Sequence, residues 1–491
     1  MRTTDIEAAD YPWAPVGAVP DTVPNVIDGK ARPAASGEWL DKLRPADGGR
    51  MCRLARSRAK DVAKAVAAAR QAQPGWAERT PVERGDLMRE VALALRERRE
   101  ELSAVVVEET GKSMALALGE TDAAVEMGFF IAGEGRRSYG RTMPANVANR
   151  TVLTVRRPVG VAGLIASFNT PLPNLAWKVF PALFCGNTAV FKPSEHAPAS
   201  AHLFAIVCCE AGLPPGVLNV VQGLGIEAGV ALVKHPDVDL VSFTGSAATG
   251  RWVAEAAGRR LAKVCLELGG KNALVVCDDA DLDDAVRWTI ASAFSNAGQR
   301  CAAGSRVVVF DAVYEEFRDR LAVAAHELGP ELVVSAESRD RILAAISGAV
   351  ADGATVVAGG TSGPGAGYEI APTVLENVQT SADISRTELF GPVTVLHRVA
   401  GLAEAIDLVN DTPYGLTAAI HTASLHRAMR FAEQAEVGVV VVNGGTHGSE
   451  PHMGFGGVKQ SGNGWKEAGM EALEVYSDVR YVNLISDPSK T

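Results

Sequence analysis

The spacing of apolar residues changes along the chain and divides it into segments. Up to about residue 39 it is rich in Pro, Gly and Asp, with short strands expected at 23–28. From Ser57, a residue able to cap a helix, Val62, Val66 and Ala69 recur at helical spacing, and Pro74-Gly75 is expected to end that helix. A long amphipathic helical region starts at Pro81, with Leu87, Val91 and Leu95 on one face and a charge run at 96–101. That run reads as a solvated helix face, with an interaction surface as the alternative. Gly111-Lys112 breaks the region, and a further helix runs toward Phe130.

At 151–157 β-branched and polar residues alternate, which predicts a strand or hairpin arm. From Pro158 the rhythm becomes strand, loop, helix. Apolar strands are predicted at 159–165, 188–191, 217–221 and 240–243, with helices at 175–184, 200–211 and 225–233 between them. This alternation implies right-handed parallel units and a doubly wound sheet. A second set, with strands near 273–276, 307–310, 355–358 and 437–443, reads as a second α/β domain.

Composition narrows the function. A chain of 491 residues exceeds one simple core, so two or three domains are expected. A net charge of -10 argues against general nucleic-acid binding. No apolar run reaches the ~18–20 residues a membrane helix needs, and residues 1–10 carry acids in place of a secretory signal's apolar core. The seven cysteines have neither disulfide-framework nor zinc spacing, and the nine histidines form no HExxH-like group. Free thiols in a reducing, cytoplasmic setting and no metal are therefore expected.

Chemistry concentrates in two stretches. Glu267-Leu268-Gly269-Gly270-Lys271 puts a carboxylate at the end of an apolar strand, and Gly298-Gln299-Arg300-Cys301 puts a thiol on a loop that opens another. Brought together by folding, the pair suits covalent catalysis at a carbonyl, with the thiolate as nucleophile and the carboxylate as base toward water. For a dinucleotide, two glycine turns satisfy the same helix-terminus argument, and both stay open on physical grounds. One runs from Gly223 through Gly225 to Ala228; the other is Phe243-Thr244-Gly245-Ser246 with Gly250 a turn later. Lys192-Pro193-Ser194-Glu195 closes a strand of the parallel sheet, where Glu can accept from ribose hydroxyls and Lys can hold sugar or phosphate. A plain surface Lys–Glu pair is the alternative there.

Together with Glu388-Leu-Phe-Gly-Pro392 and Pro413-Tyr-Gly-Leu416, these motifs resemble the aldehyde dehydrogenase superfamily from about residue 25 to 482. The resemblance implies an α/β fold with a doubly wound parallel-sheet coenzyme domain (residues 1–137 and 159–264), a second α/β catalytic domain (265–473) and a small β oligomerisation arm (138–158 and 474–491). It implies a homodimer or homotetramer. It also implies Cys301 as nucleophile, Glu267 as base for thioester hydrolysis and Asn169 as oxyanion donor beside the Cys301 N–H, with Lys178 and Glu467 on a proton path or as a structural pair. Pyrophosphate is expected near Ser246, with Phe243, Gly245, Leu268 and Gly269 around it and Gly225 on the adenine side. Glu388 and Phe390 are expected at the nicotinamide end, and Lys192, Ser194 and Glu195 at the adenosine ribose.

Glu195 would repel a 2′-phosphate, so NAD is favoured; Lys192 and Ser194 keep NADP possible. The implied reaction oxidises a small-molecule aldehyde to the acid through a Cys thiohemiacetal and a thioester cleaved by water. Transfer to CoA, or a non-catalytic protein that keeps the fold, are the alternatives. The substrate tunnel is expected among residues 171–177, the neighbours of Cys301 and the loop 444–455. Two departures stand out: Phe168 replaces the usual Trp before Asn169, and the connection at 326–338 is shortened.

Overall fold

The computed structural model describes residues 19–490. The acidic stretch at 1–10 lies outside them. The first seven-stranded sheet has the spatial order Lys263–Leu268, Leu240–Gly245, Val161–Ile165, Thr188–Lys192, Leu218–Val220, Asn25–Ile27, Lys30–Arg32. The first five strands run parallel, and the last two are added antiparallel. Val161–Ile165 and Thr188–Lys192 are buried at every residue, as expected of strands covered on both faces. The crossover helices Pro171–Phe184 and Pro198–Glu210 each begin on proline, which sets φ for the first turn and wastes no N–H. From Val161–Ile165 the chain winds outward one way to Leu218–Val220 and then the other way to Lys263–Leu268. The reversal opens a crevice at the carboxyl ends of the two strands that flank it, where ligands collect in such sheets.

The second sheet has the order Thr355–Ala358, Thr373–Glu376, Val393–Val399, Gly304–Phe310, Asn272–Val276, Thr417–His421, Val439–Val442. It is parallel except for its Thr355–Ala358 edge. Only the link Gly269-Gly270-Lys271 separates the last strand of the first sheet from the first chain strand of the second. Glu267 thus ends a strand of one sheet, while Cys301 precedes the Gly304–Phe310 strand of the other.

The arm is a third sheet. Ser477–Ile485 pairs antiparallel with Arg150–Pro158 over nine residues, and Thr142–Met143 adds to the other edge. It exposes Tyr139, Val147, Tyr481, Leu484 and Ile485.

Three local expectations need correction. The helix Ala59–Glu78 runs through Pro74, because the turn beyond it is held by buried Trp76, whose indole N–H donates to the Leu183 carbonyl at 2.9 Å. Ser57 does not cap that helix: its hydroxyl donates to Asn25 Oδ1, and the Asp61 carboxylate accepts from the Arg58 N–H instead. The charge run at 96–101 is not uniformly solvated, since Glu101 is buried and ion-paired to Arg98 at 2.7 Å.

The shortened connection is ordered. Glu331–Leu332 pairs with Glu369–Ile370. The Glu331 carboxylate accepts from the Ala297 N–H at 2.6 Å, and the Val334 N–H donates to Gln299 Oε1 at 2.9 Å. The segment therefore buttresses the loop that carries Cys301.

Candidate active site

The helix Leu282–Phe294 ends in a turn where Asn296, Ala297 and Gly298 take φ of 58°, 53° and 64°. Left-handed backbone is costly for non-glycine residues and needs outside support. Asn296 supplies part of it by donating from Nδ2 to the Asn169 carbonyl at 2.9 Å. Gly298 has no alternative, since a Cβ there would stand 2.2 Å from the Gly391 carbonyl oxygen. Beyond the turn, Asn272 Nδ2 donates to the carbonyls of Cys301 and Ala303 at 2.8 and 2.9 Å. The thiol is thus held from both sides.

Asn169 lies between the strand Val161–Ile165 and the helix Pro171–Phe184. Its carbonyl also accepts from Lys112 Nζ at 2.7 Å, and its Oδ1 accepts from Asn174 Nδ2 at 3.2 Å. The amide NH2 is left as the group able to meet an oxyanion. Buried Lys112 is ion-paired to buried Glu120, so the support behind Asn169 is itself neutralised.

Glu267 is 4% exposed, and neither carboxylate oxygen has a hydrogen-bond partner among the described residues. Burial first, and the nearby Glu467 charge second, push its carboxyl well above the usual range; Lys178 and Lys466 pull the other way. Gly456 stands against it, where a Cβ would be 2.4 Å from Oε1. Behind Glu267, the Ser242 hydroxyl donates to Glu467 Oε1 at 2.6 Å, and Lys178 Nζ donates to Ser242 Oγ at 2.7 Å while pairing with Glu467. Burial, then the Glu388 and Glu267 charges, push the Cys301 thiol up to about 12.

One cavity of about 640 Å³ joins these groups: Cys301, Glu267, Asn169 and Glu467 all line it. So do Gly245, Ser246, Leu268, Gly269, Glu388 and Phe390 from the expected cofactor set. Lys178, Phe243, Lys192, Ser194, Glu195 and Gly225 are not in its wall. Lys178 reaches it only through Glu467, and Phe243 is buried beneath Gly245, where a Cβ would lie 2.5 Å from the Phe243 ring. Lys192 and Glu195 pair at 3.2 Å at the end of their strand, and Ser194 Oγ accepts from the His196 N–H. Gly225 opens a separate turn, Gly225–Gly229, whose Glu227 is tied to Arg56.

The expected cofactor face fits a dinucleotide on chain geometry. Ser246 Oγ caps the helix Ala247–Gly258 by accepting from the Thr249 N–H at 3.3 Å, leaving the other first-turn N–H groups for an anion. A Cβ at Gly269 would fall 1.9 Å from Glu388 Oε2, so glycine there lets the chain pass the carboxylate. Burial pushes Glu388 up to about 7, and its Oε1 accepts from the Gly270 N–H at 3.3 Å. Phe390, at φ 55°, meets Phe168 edge-on at 5.7 Å between ring centroids. In place of Trp, Phe168 keeps an aromatic contact here and a second one with His196 at 5.5 Å.

The model of the aldehyde dehydrogenase family matches residues 32–482. The chain belongs to that family. Alpha-ketoglutaric semialdehyde dehydrogenase of Bacillus subtilis is 35% identical to this family member over 94% of this chain and 98% of its own. Succinate-semialdehyde dehydrogenase [NADP(+)] of Escherichia coli is 35% identical over 93% and 96%. The crystal structure of betaine aldehyde dehydrogenase from Staphylococcus aureus in complex with NAD+ superposes with a TM-score of 0.92 at 31% identity, over 95% of each chain. This aldehyde dehydrogenase is an enzyme that oxidises an aldehyde with a nicotinamide cofactor.

The tunnel expectation placed Trp177, Arg300, His447 and Phe455 at the cavity, and all four line it, with Trp177 and Phe455 in ring contact at 5.6 Å. Sequence reading missed the wall from the helix Met114–Ala132 (Leu116, Gly119, Glu120) and the Lys112 support behind Asn169. A Lys and a Glu eight residues apart at a helix entry carry no local signal of either role.

Proposed function

We propose that Cys301 is the nucleophile, Glu267 the base and Asn169 the oxyanion donor of an aldehyde oxidation that ends in the free carboxylic acid. The observation that carries this reading is an unpartnered buried carboxylate in one cavity with the thiol and the amide. Cys301 gives its proton to Glu267 through water, and Glu267 passes it to solvent. The sulfur adds to the aldehyde carbon, while Asn169 Nδ2 and the Cys301 N–H stabilise the oxyanion, a donor of this kind supplying about 3–4 kcal/mol. Ser246, Leu268, Gly269, Glu388 and Phe390 would hold a nicotinamide cofactor at the cavity, where it would supply the hydride acceptor. The acyl group then rests on Cys301 as a thioester. Glu267 takes a proton from water, the hydroxide attacks the thioester, and the thiolate leaves and recovers a proton. A carboxyl shifted upward suits this work near neutral pH better than an ordinary one.

NAD is the favoured cofactor on the chemistry of Glu195, whose charge opposes a 2′-phosphate. The three-part division is proposed along sheet membership, with the border between coenzyme and catalytic parts at Gly269–Lys271, because Lys263–Leu268 pairs within the first sheet. The arm is proposed to join copies into a homodimer or homotetramer: Ser477–Ile485 and Val439–Val442 both end their sheets, and the arm exposes apolar side chains. A cytoplasmic setting agrees with seven cysteines that form no disulfide among the described residues.

The test is nicotinamide reduction with a panel of aldehydes, with and without CoA. Activity without CoA that Cys301→Ala abolishes, cofactor binding being retained, is the expected result. A strict need for CoA with acyl-CoA as product, or full activity in Cys301→Ala, would contradict the proposal.

A further inference from the structure

Building on the aldehyde-oxidising reading, we infer that Lys112 is a positioning residue for the reaction: with Asn296 it pins the Asn169 carbonyl, and so fixes the oxyanion donor relative to the turn that carries the nucleophile. Lys112 Nζ donates to that oxygen at 2.7 Å and Asn296 Nδ2 at 2.9 Å. A carbonyl oxygen has two lone pairs, so the two donors fill it. Asn296 stands at the head of the left-handed turn before Cys301. Lys112 sits in the turn between the helices Arg99–Thr110 and Met114–Ala132. One oxygen thus joins three separate pieces of chain.

Little else holds the Asn169 peptide. On one side the Ala166 N–H donates to the Lys192 carbonyl at 3.4 Å, and on the other the Thr170 carbonyl accepts from the Asn174 N–H at 3.0 Å. Between them, among the described residues, the Asn169 carbonyl is the one main-chain group with a hydrogen-bond partner. The contact of Asn169 Oδ1 with Asn174 orients the side-chain amide but leaves the peptide itself to the two carbonyl donors.

Lys112 is itself fixed. Its side chain is 1% exposed and ion-paired to Glu120 on the following helix. Gly111 closes the turn at a left-handed φ of 79°, and a Cβ there would fall 2.8 Å from Leu332 Cβ. Leu332 belongs to the shortened connection, whose Glu331 holds the Ala297 N–H. The lysine's turn and the nucleophile's turn are therefore braced against the same segment. A buried ion pair adds little stability over apolar side chains of the same volume. What the lysine adds is a directed, charge-assisted bond to the Asn169 peptide. The bonds from Asn272 to the Cys301 carbonyl and from Ala297 to Glu331 do not pass through Lys112, so its removal should displace the donor and spare the sulfur.

The experiment follows Cys301 in the full-length protein with two probes that need no cofactor. p-Nitrophenyl acetate acylates the sulfur through a carbonyl oxyanion: an S–C bond forms, the acyl C–O bond breaks, p-nitrophenolate leaves and the thiol proton passes to solvent. Iodoacetamide alkylates it at a saturated carbon, with loss of iodide and of the same proton, and no oxyanion arises. The lysine is removed together with its anion, as Lys112→Met/Glu120→Gln, so that no uncompensated charge stays buried. Acylation should slow about tenfold in this variant while alkylation stays within about twofold. Asn169→Ala should slow acylation about 100-fold. In that background Lys112→Met/Glu120→Gln should cost less than about twofold more, because groups acting through one another are not additive. An effect of Glu120 on the cavity wall would recur in both backgrounds and cancel. Acylation unmoved by the paired change, an equal loss in both backgrounds, or alkylation that falls in step with acylation would overturn the positioning role. Should no aldehyde be oxidised with either cofactor, the dehydrogenase reading fails alone, and the ester cycle still decides the role of Lys112. Should Asn169→Ala leave acylation unchanged, the oxyanion assignment fails and this inference with it.

Discussion

Lys178→Met separates a packing role of the buried Lys178–Glu467 pair from a role in proton handling. The two side chains are 0% and 3% exposed, and Ser242 bonds to both. Removing the lysine leaves Glu467 buried without its cation, a change that costs about 3–5 kcal/mol. With an unfolding entropy of about 2 cal/mol/K per residue, the 491-residue chain loses roughly 1 kcal/mol of stability per degree. The melting temperature should therefore drop by about 3–5 °C, and Lys178→Met/Glu467→Gln should regain most of it. Lys178 also lowers the pKa of Glu267, which burial and Glu467 raise. Its loss moves Glu267 further up. Since the base acts deprotonated, the ascending limb of kcat against pH should shift to higher pH in the single variant. Calorimetry and a pH series of steady-state rates read the two effects separately. A drop in melting temperature with an unmoved pH limb would reduce the pair to packing, and an unchanged melting temperature would refute the burial argument itself.

Other expectations follow from single contacts. Gly456→Ala puts a methyl 2.4 Å from Glu267 Oε1 at φ 155°, so deacylation should slow about 100-fold while the initial burst of reduced cofactor survives; an unchanged steady-state rate would contradict it. Buried His397 bonds Ser385 Oγ at 2.9 Å, and burial holds its ring near 4 instead of 6.5. With the folded pKa depressed, its stabilisation is complete above pH 6.5 and lost as pH falls toward 4, by about 3 kcal/mol. Buried His202 and His447 are lowered to about 4 as well, so His397→Gln should make the fall in melting temperature across that window shallower without abolishing it, and an equal slope would refute the assignment. Glu195→Gln should raise NADP use relative to NAD by about tenfold; a constant cofactor ratio would remove Glu195 from the choice.

The doubly wound half was legible because its strands are continuous apolar runs bounded by glycine and proline. The second sheet was read only in part. Thr417–His421 is an interior strand and wholly buried, yet its Thr-Ala-Ala-Ile-His is short and carries two alanines. It forms a strand because Asn272–Val276 and Val439–Val442 flank it, a tertiary effect that local propensity does not carry. The same override carries the Ala59–Glu78 helix through Pro74, with Trp76 anchored to Leu183. At the site, Cys301 and Glu267 stood out as motif residues with chemistry of their own, whereas Asn169 was singled out only through the family resemblance. Lys112 was not, since its contact with the Asn169 carbonyl spans 57 residues.

The most direct test of the shared roles of Cys301 and Glu267 is mass analysis of Glu267→Gln quenched soon after mixing with aldehyde and cofactor. The account predicts about one acyl group per subunit, as a thioester on the Cys301 peptide, formed with a rapid burst of reduced cofactor and followed by slow turnover. Turnover at the wild-type rate with no adduct, or an acyl group on another cysteine, would contradict it.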